Sequence, residues 1–126
     1  MKFKHLLIAI IAAFTVASIT GCSSSPENMI VGKWHLKDIQ YKSYYETEWA
    51  GSYEGSVTNI YHKFKSNGTY EEYLGNTLTG TSTWSYNDET GTITLNGHEW
   101  LVEELTSNSM IIQWGTYEQV RILYDK

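Results

Sequence analysis

The sequence predicts an all-β domain in which eight antiparallel strands run up and down and close into a barrel. Short runs rich in Val, Ile, Thr, Tyr and Trp recur along residues 29–126, and Gly and Asn separate them. No apolar stripe of helical period in this range is long enough for a helix. Because short turns place consecutive strands side by side, closing the sheet removes its unpaired edges. An open sandwich is the alternative architecture.

The first three strands follow from alternating apolar and polar residues. In the first, Ile30–Tyr41, Trp34 and Leu36 alternate with charged residues, which is typical of a half-buried strand. After a long connection, Val57–Lys65 shows the same pattern. The turn signal at residues 66–68 then leads into Thr69–Gly75, because Asn and Gly tolerate positive φ.

The remaining five strands are bounded by turn residues. Asn87 begins a five-residue turn that ends in Gly91, and Asn96-Gly97 is a hairpin signal. Ser and Asn at 107–109 and Gly115-Thr116 mark the later breaks. The predicted strands are Thr79–Tyr86, Thr92–Leu95, His98–Leu105, Met110–Trp114 and Tyr117–Tyr124.

Residues 1–21 have the three parts of a secretory signal peptide. Lys2 and Lys4 come first, the apolar run Leu6–Ile19 follows, and small residues precede the expected cut. The apolar run is shorter than the about 20 residues that a transmembrane helix requires. We therefore expect residues 1–21 to be removed and one domain to remain.

The end of this leader resembles the lipobox of bacterial lipoproteins at Ile19-Thr20-Gly21-Cys22. That resemblance implies a diacylglyceryl group on Cys22, the only cysteine, and anchorage to a membrane. Residues 22–28 are expected to form the lipidated cysteine and a polar tether, and residues 29–126 the barrel domain. The resemblance to lipoproteins also implies retention at the outer membrane, because Ser23 is not the aspartate that often signals inner-membrane retention. Surface exposure in some bacteria is linked to an acidic cluster after the cysteine, and only Glu27 is nearby, so we expect the periplasmic face.

Composition and motifs argue against several function classes. All 14 acidic residues lie after Cys22, so the exported domain is acidic and nucleic acid is not an expected partner. No nucleophile motif, phosphate-binding loop or dinucleotide fingerprint is present, so we predict no enzyme and no cofactor. His35, His62 and His98 lie on different strands and are expected to be exposed, without a metal site. Carboxylates that converge from separate strands stay open as an enzymatic alternative.

The segment Gly32-Lys33-Trp34 resembles the G-x-W signature on the first strand of lipocalins. Residues 64–70, 80–86 and 105–110 resemble hairpins of bacterial lipocalin-like lipoproteins. The resemblance implies a barrel whose floor is closed by an arginine stacked on Trp34, and Arg121 is the candidate. Strict alternation places Arg121 on the face opposite Val120 and Ile122, so this role requires a bulge or a different inward face.

Aromatic residues supply the candidate ligand site. Tyr44, Tyr45, Trp49 and Tyr53 crowd the connection after the first strand, where they would either fill an open barrel end or form a portal. Inward rings complete the candidate set: Phe64, Tyr70, Trp84 and Tyr86.

We expect a monomeric, lipid-anchored protein that binds a small hydrophobic or aromatic molecule or a glycan fragment. The main alternative is a filled barrel that serves as a protein-interaction or inhibitor module in envelope assembly.

Overall fold

A computed structural model of the chain describes residues 25–51 and 59–126. A short helix precedes eight strands. In chain order the elements are α1 (Pro26–Ile30), β1 (Gly32–Lys42), β2 (Ile60–Phe64), β3 (Thr69–Leu74), β4 (Thr77–Asn87), β5 (Thr92–Leu95), β6 (His98–Leu105), β7 (Ser109–Trp114) and β8 (Gln119–Asp125).

The eight strands form a closed antiparallel barrel. Each strand pairs with the next one along the chain, and β8 pairs back onto β1. Leu36 lies opposite Tyr124 in that closing pair, and Trp34 lies opposite His62 across the β1–β2 pair. The predicted up-and-down barrel is therefore confirmed, and the open sandwich is excluded.

Helix α1 differs from the sequence prediction, which assigned residues through 28 to the tether and began the first strand at Ile30. The Ser25 side chain accepts a hydrogen bond from the backbone N–H of Asn28 at 3.2 Å, and Pro26 occupies the first turn. An N-cap serine followed by proline starts a helix even in a short segment. Ile30 ends it fully buried, so α1 closes one end of the barrel.

Strand limits differ slightly from those predicted. Strand β2 is described from Ile60, and the preceding predicted residues 57–58 lie outside the described residues. Strand β4 begins at Thr77, because Gly75 adopts a φ of 63° and begins a two-residue turn. No helix within 25–51 or 59–126 is long and apolar enough to cross a membrane.

Three register shifts interrupt the ladders, at Leu36/Asp38, Glu72/Tyr73 and Val102/Glu104. An extra residue in one strand of an antiparallel pair resets which side chains point inward beyond it. The shift in β1 lets Leu36 and Ile39, three residues apart, both line the interior. Simple alternation along the sequence therefore fails beyond each bulge.

The barrel has a floor and a mouth. The floor is the end closed by α1 and the mouth is the opposite end, where the β3–β4 and β5–β6 turns lie. We call five buried side chains the floor cluster: Ile30, Trp34, Phe64, Trp84 and Tyr124. The rings of the four aromatic members pack edge to face, with the centroids of contacting rings 5.5 to 6.4 Å apart. These aromatic residues fill the lower half of the barrel.

Trp34 is the centre of the floor cluster. Its indole Nε1 donates a hydrogen bond to the carbonyl of Ile30 at 2.8 Å, which ties α1 to β1. The ammonium of Lys126 lies 4.5 Å from the Trp34 ring centroid. Gly32, with a φ of 138°, allows this arrangement, since a Cβ there would lie 2.8 Å from Lys126 Nζ. The helix and the last residue thus seal the floor from both sides.

Candidate functional site

The upper half of the barrel contains an open cavity of about 720 Å³ at the mouth. This volume lies within the range of about 300–1,000 Å³ that is typical of small-molecule sites. Most of its wall is apolar. The aliphatic and aromatic side chains that form this wall include Leu36, Ile39, Ile60, Leu95, Trp100 and Ile122.

Side-chain size along β4 explains why the cavity is open above and filled below. Gly80 and Ser82 line the cavity, whereas Trp84, two residues further toward the floor, is buried in the floor cluster. Successive inward positions on one strand therefore change from no side chain to the largest one. Gly80 also makes room for a neighbour, because a Cβ there would lie 3.2 Å from Glu72 Oε1.

A cluster of four polar side chains lies where the cavity meets the floor. His62 Nδ1 lies 2.7 Å from the hydroxyl of Tyr124 and 3.3 Å from that of Tyr70. The Tyr70 hydroxyl donates to Glu72 Oε2 at 3.0 Å. The other imidazole nitrogen, Nε2, lies 3.8 Å from Glu72 Oε2, which is beyond hydrogen-bond distance. We call these four residues the polar cluster.

Burial sets the protonation states within the polar cluster. It lowers the pKa of His62 from 6.5 to about 4, against the opposing attraction of Glu72. Burial likewise raises the pKa of Tyr70, with further contributions from Tyr124 and Glu72, and it raises the pKa of Tyr124. At neutral pH the imidazole is therefore uncharged and both phenols keep their protons.

The hydrogen-bond partners of the neutral imidazole assign its single proton to one of the two ring nitrogens. Tyr124 is buried, and among the described residues its hydroxyl has one acceptor within reach, His62 Nδ1. The phenol O–H therefore donates to Nδ1, and the single imidazole proton resides on Nε2. That N–H points toward Glu72 and the cavity, where it is available to a ligand.

The burial of His62 corrects the expectation that the strand histidines are exposed. His62 is only 7% exposed because it takes the inward position between Ile60 and Phe64 on β2, and the tyrosine hydroxyls satisfy it there. His35 is half-buried and pairs with Asp125 at 3.0 Å, and His98 is exposed at the mouth. Within the described ranges, no group of three or more His, Cys, Asp or Glu side chains could hold a metal ion.

The four inward aromatic candidates separate into one cavity residue and three packing residues. Tyr70 lines the cavity. Phe64 and Trp84 belong to the floor cluster, and Tyr86 packs half-buried against the core. Because Trp84 donates its indole N–H to the carbonyl of Lys65 at 2.8 Å, it is committed to structure. Phe64, Trp84 and Tyr86, which the sequence placed in a ligand wall, therefore do not line this cavity.

The aromatic connection does not contribute to the cavity wall in the part that the structure describes. Tyr44 and Tyr45 are 63% and 90% exposed, and the Tyr44 ring contacts the rings of Tyr45 and Tyr117, with both centroid distances 5.1 Å. Trp49 lies against the cations of Lys42 and Arg121. Tyr44, Tyr45 and Trp49 lie outside the barrel because the chain turns back along β1, with Tyr41 bridged to Ala50. Tyr53 lies outside the described residues.

Arg121 does not close the floor, contrary to the role implied by the lipocalin resemblance. Its neighbour Ile122 lines the cavity, so Arg121 points outward on β8, which has no bulge at this position. The guanidinium lies 4.3 Å from the ring centroid of Trp49, and its Nε donates to Gln40 Oε1 at 2.7 Å. The cation over Trp34 is instead Lys126.

The sequence candidates omitted most of the cavity wall, including His62, Glu72 and Trp100. The signal for His62 was present, because it alternates with two apolar residues on β2. Glu72 likewise stands two residues after Tyr70 on β3, but a carboxylate at an inward position reads as a solvent-facing residue when sequence is the only guide.

Comparison with known proteins supports the fold. No family model matches the sequence, and no curated protein matches it. Among solved structures, a lipocalin-like protein from Bacteroides uniformis ATCC 8492 is similar, with a TM-score of 0.51 and 17% sequence identity. The similarity covers 78% of this chain and 98% of that chain. It supports a lipocalin-like barrel for this chain.

Proposed function

We propose that this protein is a lipid-anchored binding protein of the cell envelope that holds a small, largely apolar molecule in the upper half of its barrel. The observation that carries the proposal is the cavity of about 720 Å³, with its apolar wall and a polar cluster at its base. An apolar cavity with a few converging polar groups is the usual form of a small-molecule site.

The wall favours an apolar or aromatic ligand over a glycan fragment. A sugar requires many hydrogen-bond partners, whereas Ile39, Ile60 and Ile122 present only methyl and methylene groups. Burying apolar surface is worth about 25 cal/mol per Å², so an apolar ligand gains affinity from most of this wall. Trp100 and Tyr70 add ring surfaces on which a flat ligand can stack.

Binding also fits the cavity better than catalysis by paired carboxylates. Among the described residues, Glu72 is the only aspartate or glutamate that lines the cavity. A glycosidase-type mechanism requires two carboxyl groups on either side of the reacting bond. The polar cluster therefore supports ligand recognition.

The lipobox-like leader supports lipid anchorage. The position at which the described chain begins, next to the floor, indicates how the anchored barrel is oriented. Lipid on Cys22 would hold the protein at the outer membrane, facing the periplasm. Ser25 precedes α1 at the floor, and two intervening residues can span at most about 10 Å between Cys22 and Ser25. The closed end of the barrel would then face the membrane, and the mouth would open to the aqueous phase.

Fluorescence of the uncharged probe N-phenyl-1-naphthylamine tests the cavity. We expect the probe to brighten and saturate with the wild-type protein, and the Ser82→Trp variant to abolish the signal by filling the cavity. Ser85→Trp is the matched control, since Ser85 lies exposed on the same strand. Equal binding by both variants, each shown to be folded by circular dichroism, would place the probe elsewhere and reject the cavity as the site.

Mass spectrometry of the mature N-terminus tests the anchor. The expected product begins at Cys22 and carries acyl chains, and Cys22→Ala should release the protein from the membrane fraction. An unmodified Cys22 in membrane-associated protein would reject lipidation.

A further inference from the structure

We infer that the cavity selects a ligand with an uncharged hydroxyl group, which accepts a hydrogen bond from His62 Nε2 and donates one to Glu72, and that it discriminates against carboxylic acids. This inference rests on the proposed function and specifies the chemical class of its ligand.

The two groups that would recognise the ligand, His62 and Glu72, leave a gap between them. His62 Nε2 and Glu72 Oε2 lie 3.8 Å apart, too far for a hydrogen bond to each other. A single oxygen atom placed about 2.8 Å from both would satisfy both. That oxygen must accept from one side and donate to the other, which a hydroxyl group does.

The polar cluster fixes the direction of both hydrogen bonds to the ligand hydroxyl. Tyr124 engages Nδ1 from the buried side, which leaves the proton of the neutral imidazole on Nε2, toward the cavity. Tyr70 donates to Glu72 Oε2 and holds the carboxylate beside His62. The two tyrosines thus preorganise one donor and one acceptor for the ligand.

The charge of the cavity wall disfavours an anionic ligand. No lysine or arginine is present among the described residues that line the cavity, whereas Glu72 supplies a carboxylate that is 46% exposed. A carboxylate ligand would bring a second negative charge against Glu72 with no cation to compensate it, which is unfavourable. An ammonium ligand would pair with Glu72 but has no acceptor for the Nε2 proton.

Four naphthalene probes of similar size separate these possibilities: 2-naphthalenemethanol, 2-methylnaphthalene, 2-naphthoate and 2-naphthylmethylammonium. Binding is measured by titration calorimetry at pH 7.5, where His62 is neutral. We expect the alcohol to bind about thirtyfold more tightly than the hydrocarbon, since its two hydrogen bonds contribute about 1 kcal/mol each. We expect the carboxylate to bind at least tenfold more weakly than the alcohol.

Two substitutions connect this preference to the named atoms. Glu72→Gln should reduce the discrimination against 2-naphthoate, because it removes the negative charge. His62→Phe should remove the advantage of the alcohol over the hydrocarbon. Glu71→Gln is the matched control, because the Glu71 carboxylate faces outward to Tyr73 and Lys65, and its probe preferences should equal those of the wild type.

The outcomes separate this inference from the proposed function. Equal binding of the alcohol and the hydrocarbon, or tighter binding of the carboxylate or the ammonium, would overturn the hydroxyl preference while leaving the cavity as a binding site. Failure of all four probes, together with failure of N-phenyl-1-naphthylamine, would overturn the proposed function itself.

Discussion

The floor and the upper half of this barrel are built from the same eight strands but have opposite properties. At the floor, Trp34, Phe64 and Tyr124 pack against one another and against α1, with their polar atoms satisfied. In the upper half, isoleucines leave a cavity that retains an available donor and acceptor. Strand pairing therefore determines the barrel, whereas side-chain size at each level determines whether that level supports the fold or binds a ligand.

The largest difference between the two halves should appear when a floor ring is removed. Trp34→Ala is expected to lower the free energy of unfolding by about 3–5 kcal/mol, because it leaves a cavity and breaks the hydrogen bond to α1. Urea denaturation measures the change. Trp114→Ala removes a ring that is 48% exposed and should change stability by less than about 0.5 kcal/mol. Equal losses in the two variants would contradict a floor that carries the stability.

His62 lies at the boundary between the halves and should make stability depend on pH. Its pKa is about 4 in the folded protein and about 6.5 when unfolded, so the unfolded chain binds an extra proton between these values. The stability that depends on a neutral His62 is therefore fully present above pH 6.5. The free energy of unfolding falls by about 3 kcal/mol as pH decreases toward 4. Urea denaturation at pH 7.5 and 4.5 should show a smaller loss for His62→Gln than for the wild type.

A matched control for this titration is His98→Gln, because His98 is exposed at the mouth. Its pH dependence should follow that of the wild type. If His62→Gln and the wild type lose the same stability between pH 7.5 and 4.5, burial of a neutral imidazole is not the cause.

Two isoleucines that lie opposite each other in the β7–β8 pair compare the packed core with the cavity wall. Ile112 is fully buried in the core, whereas Ile122 lines the cavity and is half-buried. Ile112→Ala should cost about 2–5 kcal/mol, and Ile122→Ala about 1 kcal/mol, since the second site already borders open space. Thermal and urea unfolding measure both. The reverse ranking would mean that the cavity wall at Ile122 is packed as tightly as the core at Ile112.

The smallest effect is expected outside the barrel. Tyr45→Ser alters a ring that is 90% exposed, so stability should change by less than about 0.5 kcal/mol and affinity for N-phenyl-1-naphthylamine should be unchanged. Loss of probe binding in this variant would return the aromatic connection to the ligand site.

The sequence predicted the closed barrel because strand alternation and turn residues are local signals. Asn96-Gly97, for example, adopts positive φ at both residues, with values of 50° and 84°. It did not predict α1, which depends on one N-cap serine and a proline close to the expected tether. Alternation along β8 placed Arg121 on the face opposite Ile122, as the structure does, whereas its role at the floor came from the lipocalin resemblance alone.

The candidate site was less predictable than the fold. Aromatic content drew attention to Trp84 and Tyr45, but the first belongs to the floor and the second to the outer surface. The polar cluster was missed because His62 and Glu72 are tolerated inside the barrel only through hydroxyls from other positions, a compensation that emerges when the strands pair. Whether an inward polar residue is satisfied is a tertiary property.

The most direct test of the account is NMR of isoleucine methyl groups during titration with 2-naphthalenemethanol. We expect chemical-shift changes for Ile39, Ile60 and Ile122, which line the cavity, and an unchanged shift for Ile30 in the floor cluster. Equal perturbation of Ile30 and the three cavity residues, or perturbation confined to Ile30, would contradict a barrel that is filled at its floor and binds a ligand above it.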